Sequence, residues 1–462
     1  MINGFEFQKI NINQLPQEWK NNETLYDLEK FLQANWEQRR IFYDDNYVTT
    51  RQQFIDFDVR NGIKLQNYIG TICFNGEQLN IFPKVFKDDE DDDDASKFTL
   101  EDMLNNILIW LNYCDRTNFP FVTVKDSLSD VNSFLELMIT VYVNYVKNVL
   151  SKEIFHRYED IVDEGSYIKG KVDFLDYCNN KVPTGNLAKI KYCYSGFVLD
   201  NLLNRIIKNT CRLLYNLTSN GKNKSAIRDI FIKLGDVSDI VCFPSDCDKI
   251  HLDAYHKGYK IILGLSKIFL LNRVNAYDVG NIESFCFLFP AELLFEGFVG
   301  GYLKENFLGR AKVRTQVSDQ YLADLYVNGE NKGRAFLLKE DILVETNGKI
   351  IVLDTKYKEI DKFEKIADNK KLGISDADMK QMVIYAIKKN ANKVYLLYPL
   401  HKNEEPETKE IKYEFCDDES KNNVSITILK IPFVFDKEIN KTKLILSNIL
   451  EQIISESEEK TY

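Results

Sequence analysis

Asp354 and Lys356 stand two residues apart at the end of an apolar run, Ile350 to Leu353. On a strand, that spacing sends both side chains to one face. Asn347 and Gly348 separate this run from the one that carries Asp341. Asn-Gly is a hairpin signal, because both residues tolerate positive φ. The pattern therefore predicts strands over 341–345 and 349–356, with Asp354 returned beside Asp341. Two carboxylates and one ammonium gathered in this way suit hydrolysis of a phosphodiester. Mg²⁺ takes hard oxygen ligands and keeps several waters. Held by Asp341 and Asp354, it would polarise the phosphate and lower the pKa of an attacking water, and Mn²⁺ could substitute. Lys356 would orient that water or offset charge growing on the phosphoryl oxygens. Thr355 is expected to face the other way and pack, its carbonyl being a further candidate ligand.

Asp-x-Lys alone is a common triplet and ends many ordinary strands. A fully apolar strand that terminates in charges delivers them to a cleft edge, which gives the triplet its weight here. A helix predicted over 377–389 adds Gln381 and Tyr385, four residues apart and so on one helical face. The amide could hold the substrate backbone or a metal-bound water, with the phenol as its buttress. Glu296, on a helix predicted over 291–306, is one more candidate carboxylate.

Around these residues the C-terminal block, 284–462, reads as helix, short strands between 313 and 338, hairpin, helix, a strand over 393–398, a strand over 423–433 and a closing helix over 441–455. That order predicts an α/β unit with a mixed sheet. Residues 1–87 read as a β-rich module with a helix over 25–40 and strands 68–74 and 78–82 joined at Asn75-Gly76. Residues 88–94 are all Asp or Glu, so 88–97 is expected to be a solvated linker. The region 98–283 is mainly helical, with helices over 99–113 (Thr99 and Asp102 forming a capping box), 133–153, 196–219 and 259–271, and a short β-like piece at 167–174. The fold class expected is therefore a multidomain α+β and α/β protein with an N-terminal β-rich module, a helical middle and a C-terminal mixed sheet flanked by helices. No fixed-period repeat appears.

The chain has 462 residues, of which 44% are hydrophobic and 28% charged, the profile of a globular multidomain protein. No apolar stretch is long enough to span a membrane; 134–150 is interrupted by Glu136, Asn144 and Lys147. The opening residues carry no basic segment followed by an apolar block, so a cytoplasmic location is expected. Nine cysteines, an odd number without regular spacing, argue against a disulfide scaffold. A net charge of −10 excludes nucleic-acid binding by bulk electrostatics and leaves room for a local metal site. Between Lys356 and Lys371, six lysines face four acids, a local +2 that could touch phosphate and is as easily an ordinary solvated loop. Cys242, Cys247, His251 and His256 resemble a zinc set. Only three residues separate the Cys pair from the His pair, where a finger needs about twelve, so they are read as part of a connector. No Gly-x-x-x-x-Gly-Lys-Ser/Thr loop occurs, so nucleotide hydrolysis, if required, belongs to another subunit.

Asp341, then Leu353-Asp354-x-Lys356, then Gln381-x-x-x-Tyr385 resembles the PD-(D/E)xK nucleases of the RecB-like branch. Leu353 to Lys358, Asp378 to Met382 and Leu396 to Pro399 are similar, more narrowly, to the McrC family, the endonuclease subunits of GTP-dependent restriction systems directed at modified cytosine. Upstream, Ile168 to Phe174, Asp200 to Lys208, Tyr68 to Ile72 and Ile81 to Lys84 also resemble that family, so the likeness covers most of the chain. It implies Asp341 and Asp354 as metal ligands, Lys356 and Gln381 as catalytic residues, and Glu296 and Tyr385 as additional participants. It also implies a McrB-like GTPase ring as partner, docking through 98–283, and double-stranded DNA containing modified cytosine as substrate. No zinc is implied. One departure is Glu340, which stands where the family has Pro before the first Asp. Two other function classes remain in view: an adaptor and GTPase activator whose nuclease site has decayed, and a RecB-like nuclease acting alone.

Overall fold

A computed structural model describes residues 1–35, 54–58, 62–87, 98–114, 131, 133–253, 255–278, 284–358, 360, 370–400, 410–416, 423–436 and 438–455. The acidic linker 88–97, the end of the helix expected over 25–40 and most of the lysine-rich 356–371 loop lie outside them. The chain forms two compact units, one from residues 1–122, 132–134 and 284–462, the other from 123–131 and 135–283.

The first unit is organised by a six-stranded sheet in the order Lys312–Val317, Glu340–Thr346, Lys349–Thr355, Lys393–Pro399, Asn423–Ile431 and Ile411–Cys416. The hairpin closes as its turn residues dictate, with φ of 49° at Asn347 and 75° at Gly348. Lys349–Thr355 then pairs parallel to Lys393–Pro399, which pairs parallel to Asn423–Ile431. A parallel pair needs a crossover; the described part of this one is the helix Asp376–Lys389. Ser375 caps that helix by accepting from the Asp378 amide, acids fill its first turn, basic residues its last, and Asn390 stops it at φ 52°. Its apolar face, including Met382 and Ala386, packs with Leu343, Val352, Val394 and Ile426 of the sheet. Tyr321–Val327 and Glu330–Leu337 form a separate exposed ribbon between the first two strands of the sheet in sequence.

The N-terminal residues belong to this same unit, which the division at 87 does not anticipate. Ile2–Phe5, Glu77–Phe82, Tyr68–Phe74 and Phe285–Pro290 make one four-stranded sheet. Its last strand, at the head of the C-terminal block, pairs antiparallel with Tyr68–Phe74 over six residue pairs. Every residue of Phe285–Pro290 is buried, so the strand has no period-2 signal and escapes a reading based on alternation. Leu100–Tyr113, assigned from sequence to the helical middle, also sits in this unit. Trp110 stacks on Phe433 with ring centroids 3.9 Å apart and donates from Nε1 to the Phe433 carbonyl at 2.7 Å. The helix Ala291–Asn306 lies against it closely enough that a Cβ on Gly301 would meet the Tyr113 carbonyl oxygen at 1.6 Å.

The second unit holds the helices Phe134–Lys152 (from Leu135 on), Leu202–Leu217, Gly221–Lys233 and Lys257–Asp278, with a three-stranded sheet. Here the expectation of a helix over 196–219 is corrected. Ile190–Val198 is a strand paired along its length with Arg157–Gly165, and the helix starts only after Asn201, whose side chain accepts from the Asn204 amide. The β-like piece at 167–174 contributes only Lys171–Val172 to that sheet. Among the described residues, no helix is long and apolar enough to cross a membrane.

Substituting Gly301→Ala is expected to lower stability by about 1–3 kcal/mol or more, since the backbone of Tyr113 blocks the added methyl. Gly264→Ala, in the exposed interior of Lys257–Asp278 with nothing within 4 Å, is expected to raise it by about 0.5–1 kcal/mol. Denaturant melts of the two variants check both signs.

Candidate active site

Ile342 pairs with Leu353 across the hairpin, so the next step outward brings Asp341 opposite Asp354. Side chains that oppose each other in an antiparallel pair leave the same face and stand about 4.5–5.5 Å apart at Cβ. Asp341 is half-buried and Asp354 buried. The carboxylate of Asp341 is oriented by Thr355, whose backbone N–H and side-chain hydroxyl both donate to Oδ2 at 2.9 Å. This corrects the expectation that Thr355 only packs on the opposite face. The strand ends at Thr355, and its hydroxyl reaches the neighbouring strand's Asp.

Lys356 supplies the positive charge. Its ammonium lies 2.7 Å from Asp354 Oδ2 and 3.5 Å from Asp378 Oδ1, and it donates to Gln381 Oε1 at 3.4 Å. Its backbone N–H donates to the Leu397 carbonyl at 2.9 Å, extending the parallel pairing one residue past the strand. Gln381 donates from Nε2 to the Tyr385 hydroxyl at 2.7 Å, and that hydroxyl donates to the Lys339 carbonyl at 2.6 Å. The helix face bearing Gln381 and Tyr385 is thereby tied to the chain two residues before Asp341. Sequence reading places Asp341, Asp354, Lys356, Gln381 and Tyr385 at one locus, and the structure brings all five together.

Glu296 is buried on the helix Ala291–Asn306 and accepts from the Gln316 amide. In the strand ladder Thr315 pairs with Ile342 and Val317 with Glu340, so Gln316 falls opposite Asp341, with φ at 52°. Asp378 is a participant that the sequence reading quoted without giving it a role. It sits at the third helical position, accepts from Lys358 at 3.2 Å, and shares Lys356 with Asp354. Its signal was available: Asp378 and Gln381 are three apart on the helix, hence on one face. Glu340 is buried against Lys389 at 3.5 Å, on the strand face away from Asp341.

The electrostatics follow from counting charges. Among the described residues, Asp341, Asp354 and Asp378 all act on the Lys356 ammonium, and Lys358 makes a second ion pair with Asp378. Burial pulls the Lys356 ammonium down, but Asp354 first and then the other two acids hold it above its ordinary value. Burial, and after it the facing Asp341, push the Asp354 carboxyl up to about 7 against the pull of Lys356. The neighbouring carboxylates raise both groups, whereas burial raises the aspartate and lowers the lysine. Burial likewise pushes the Tyr385 phenol to about 12, so it stays a neutral donor.

A hard divalent cation fits this donor set. The two facing carboxylates are oxygen ligands, and their mutual repulsion is what such an ion would relieve. Among the described residues, no group of three or more His, Cys, Asp or Glu is arranged to hold a metal. A cation here would therefore take its remaining ligands from water, backbone or substrate, as Mg²⁺ commonly does. The Cys242, Cys247, His251, His256 set does not form a zinc site among those residues. Cys242 and Cys247 pack with Ile206 and Leu270, and burial pushes their thiols up to about 11 and 12. Thiolate is the form that binds zinc.

Folded Asp354 keeps its proton to about pH 7, whereas an ordinary aspartate loses it near 3.8. Between those values the folded state binds the extra proton, so acidification through that window stabilises the metal-free chain. A divalent cation must displace that proton. The rise in melting temperature caused by Mg²⁺ or Mn²⁺ is therefore expected to be larger at pH 8 than at pH 6. Equal shifts at the two pH values would contradict the assignment of Asp354 as a ligand.

A family model described as "McrBC 5-methylcytosine restriction system component" matches residues 63–399. A solved structure of Thermococcus gammatolerans McrB AAA+ hexamers with bound McrC is similar to this chain, with TM-score 0.69 and 17% identity, covering 97% of this chain and all of that one. A cryo-EM structure of the McrBC complex from the same organism matches at TM-score 0.51 and 17% identity, covering 68% of this chain and 89% of that chain. No curated protein matches.

Proposed function

This chain belongs to the McrBC 5-methylcytosine restriction system components, and on that premise we propose that it is the DNA-cutting subunit of such a system, a Mg²⁺-dependent endodeoxyribonuclease of the PD-(D/E)xK type. One observation carries the reading: Asp341 faces the buried Asp354 across the hairpin, with the Lys356 ammonium 2.7 Å from the inner carboxylate. Decay of a nuclease site removes ligands first, and both acids, the lysine and the glutamine are in place here, which speaks against an adaptor.

Asp341 and Asp354 would hold the cation, which would supply Lewis-acid activation of the scissile phosphate and of the attacking water. Thr355 fixes the direction in which Asp341 presents its oxygens. Lys356, kept protonated by its carboxylate neighbours, directs an N–H at an oxygen of the reacting group and opposes the charge that develops there. Gln381, braced by Tyr385, accepts from Lys356 and limits its swing. Glu296 stands one residue removed, through Gln316. The substrate follows from the family: double-stranded DNA carrying modified cytosine.

The chain carries no phosphate-binding loop, so GTP hydrolysis would belong to a McrB-like ring that this subunit docks into and stimulates. The docking surface we favour lies within 98–283, on the ribbon Arg157–Gly165 and Ile190–Val198. Tyr158, Val162, Tyr167, Ile168, Phe174 and Phe197 leave large apolar groups in solvent on this ribbon and its loop, an arrangement that marks an interaction site.

Asp354→Ala is expected to reduce cleavage of modified plasmid, in Mg²⁺ and GTP with the partner GTPase, by at least about 10²-fold. Folding and co-purification with the partner should persist. Wild-type cutting by that variant would defeat the assignment.

A further inference from the structure

Glu6 is buried at 2% exposure just beyond the N-terminal strand Ile2–Phe5. Its backbone N–H donates to the Phe82 carbonyl at 3.0 Å, so the module's own sheet fixes where it stands. Its Oε2 accepts from the Lys84 backbone N–H at 3.0 Å and from the Tyr357 hydroxyl at 2.9 Å. The Lys84 ammonium lies over the Tyr357 ring, 5.2 Å from its centroid. Phe295 and Phe433 flank the same ring at 6.0 and 6.1 Å. Tyr357 is the residue after Lys356, and the chain folds tightly around it, the Lys358 N–H donating to the Lys356 carbonyl at 2.8 Å. Lys356 points toward Asp354 and Lys358 toward Asp378, with the tyrosine between them held by a residue 351 positions earlier in the chain.

A buried carboxylate is an expensive way to hold an aromatic ring. Burial pushes Glu6 to about 7 even with two donors on one oxygen, and an apolar residue of similar volume would serve packing alone at least as well. What a hydrogen-bonded carboxylate adds is direction: it fixes the phenol, and with it the rotation of the strand end.

We propose that Glu6 is a positioning residue for the nuclease site, and that the N-terminal module holds Tyr357 so that Lys356 meets Asp354 in register. The inference rests on the nuclease reading above. It makes the first residues of the chain part of the cutting machinery.

Tyr357→Phe removes only the hydroxyl and keeps the ring among Phe295, Phe433 and Lys84. In the full chain assembled with its partner GTPase, this variant is expected to lower the single-turnover cleavage rate at saturating DNA about tenfold to a hundredfold, with DNA affinity unchanged. Glu6→Ala should lose a similar factor, Glu6→Gln should recover most of it because an amide oxygen still accepts from the phenol, and Glu6→Ala with Tyr357→Phe should lose no more than either alone. Rates within twofold of wild type for Tyr357→Phe, multiplied losses in the double variant, or losses matched by a fall in folded protein would each overturn the proposal. Asp354→Ala runs beside them. If it cuts like wild type, the nuclease reading fails; if it is dead while Tyr357→Phe is normal, only the role of Glu6 fails.

Discussion

Two facing carboxylates, Asp341 and the buried Asp354, held beside the Lys356 ammonium are the constraint around which this site is built. Asp354 is too dehydrated, and too close to Asp341, to carry its charge at little cost even with Lys356 beside it. Such an arrangement destabilises the fold unless something else occupies it. The surrounding structure over-determines it all the same. A two-residue turn sets the register of the strands, the Thr355 hydroxyl and N–H clamp Asp341, and the chain Lys356–Gln381–Tyr385–Lys339 closes a loop from one strand through the helix to the other. Perturbed ionisation held on a rigid scaffold is typical of functional sites.

The scaffold that bears this strain is assembled from three distant parts of the chain. Residues 1–87 close a sheet with Phe285–Pro290, and Leu100–Tyr113 locks onto Phe433 and Phe435 through Trp110 and Asn106. Tyr357 joins the end of the strand that carries Asp354 to Glu6, the residue after the strand Ile2–Phe5. Partner docking, which we place on the second unit, thus falls on an insertion into the unit that carries Asp341 and Asp354. The segment 135–283 interrupts a body that begins at residue 1 and resumes at 284.

Local features of the sequence carried the local parts of this picture. Asn347-Gly348 specifies a turn, the period-2 placement of Asp354 and Lys356 specifies a face, and the i, i+4 spacing of Gln381 and Tyr385 specifies another, so the five central residues were legible before any coordinates. The helix over 291–306 was legible for the same reason. What was not legible is long-range or featureless. Phe285–Pro290 is apolar at every position and has no period to read. Gly196 to Val198 could continue a helix as well as end a strand, and only pairing with Arg157–Gly165 decides between them. The bonds from Thr355 to Asp341 were not legible, because the spacing along one strand does not tell which groups of the next strand a side chain meets. Glu6 carried no signal at all, since its meaning lies in a tyrosine 351 positions away.

A crystal of the full chain grown with Mn²⁺ at pH 8 and measured at the manganese absorption edge tests the central claim most directly. The account predicts an anomalous peak bridging the carboxylates of residues 341 and 354, with the Lys356 ammonium withdrawn from Asp354 Oδ2 but still beside the site. A well-ordered hairpin with no peak between those carboxylates, or a peak bound elsewhere while they remain paired with lysine, would contradict it.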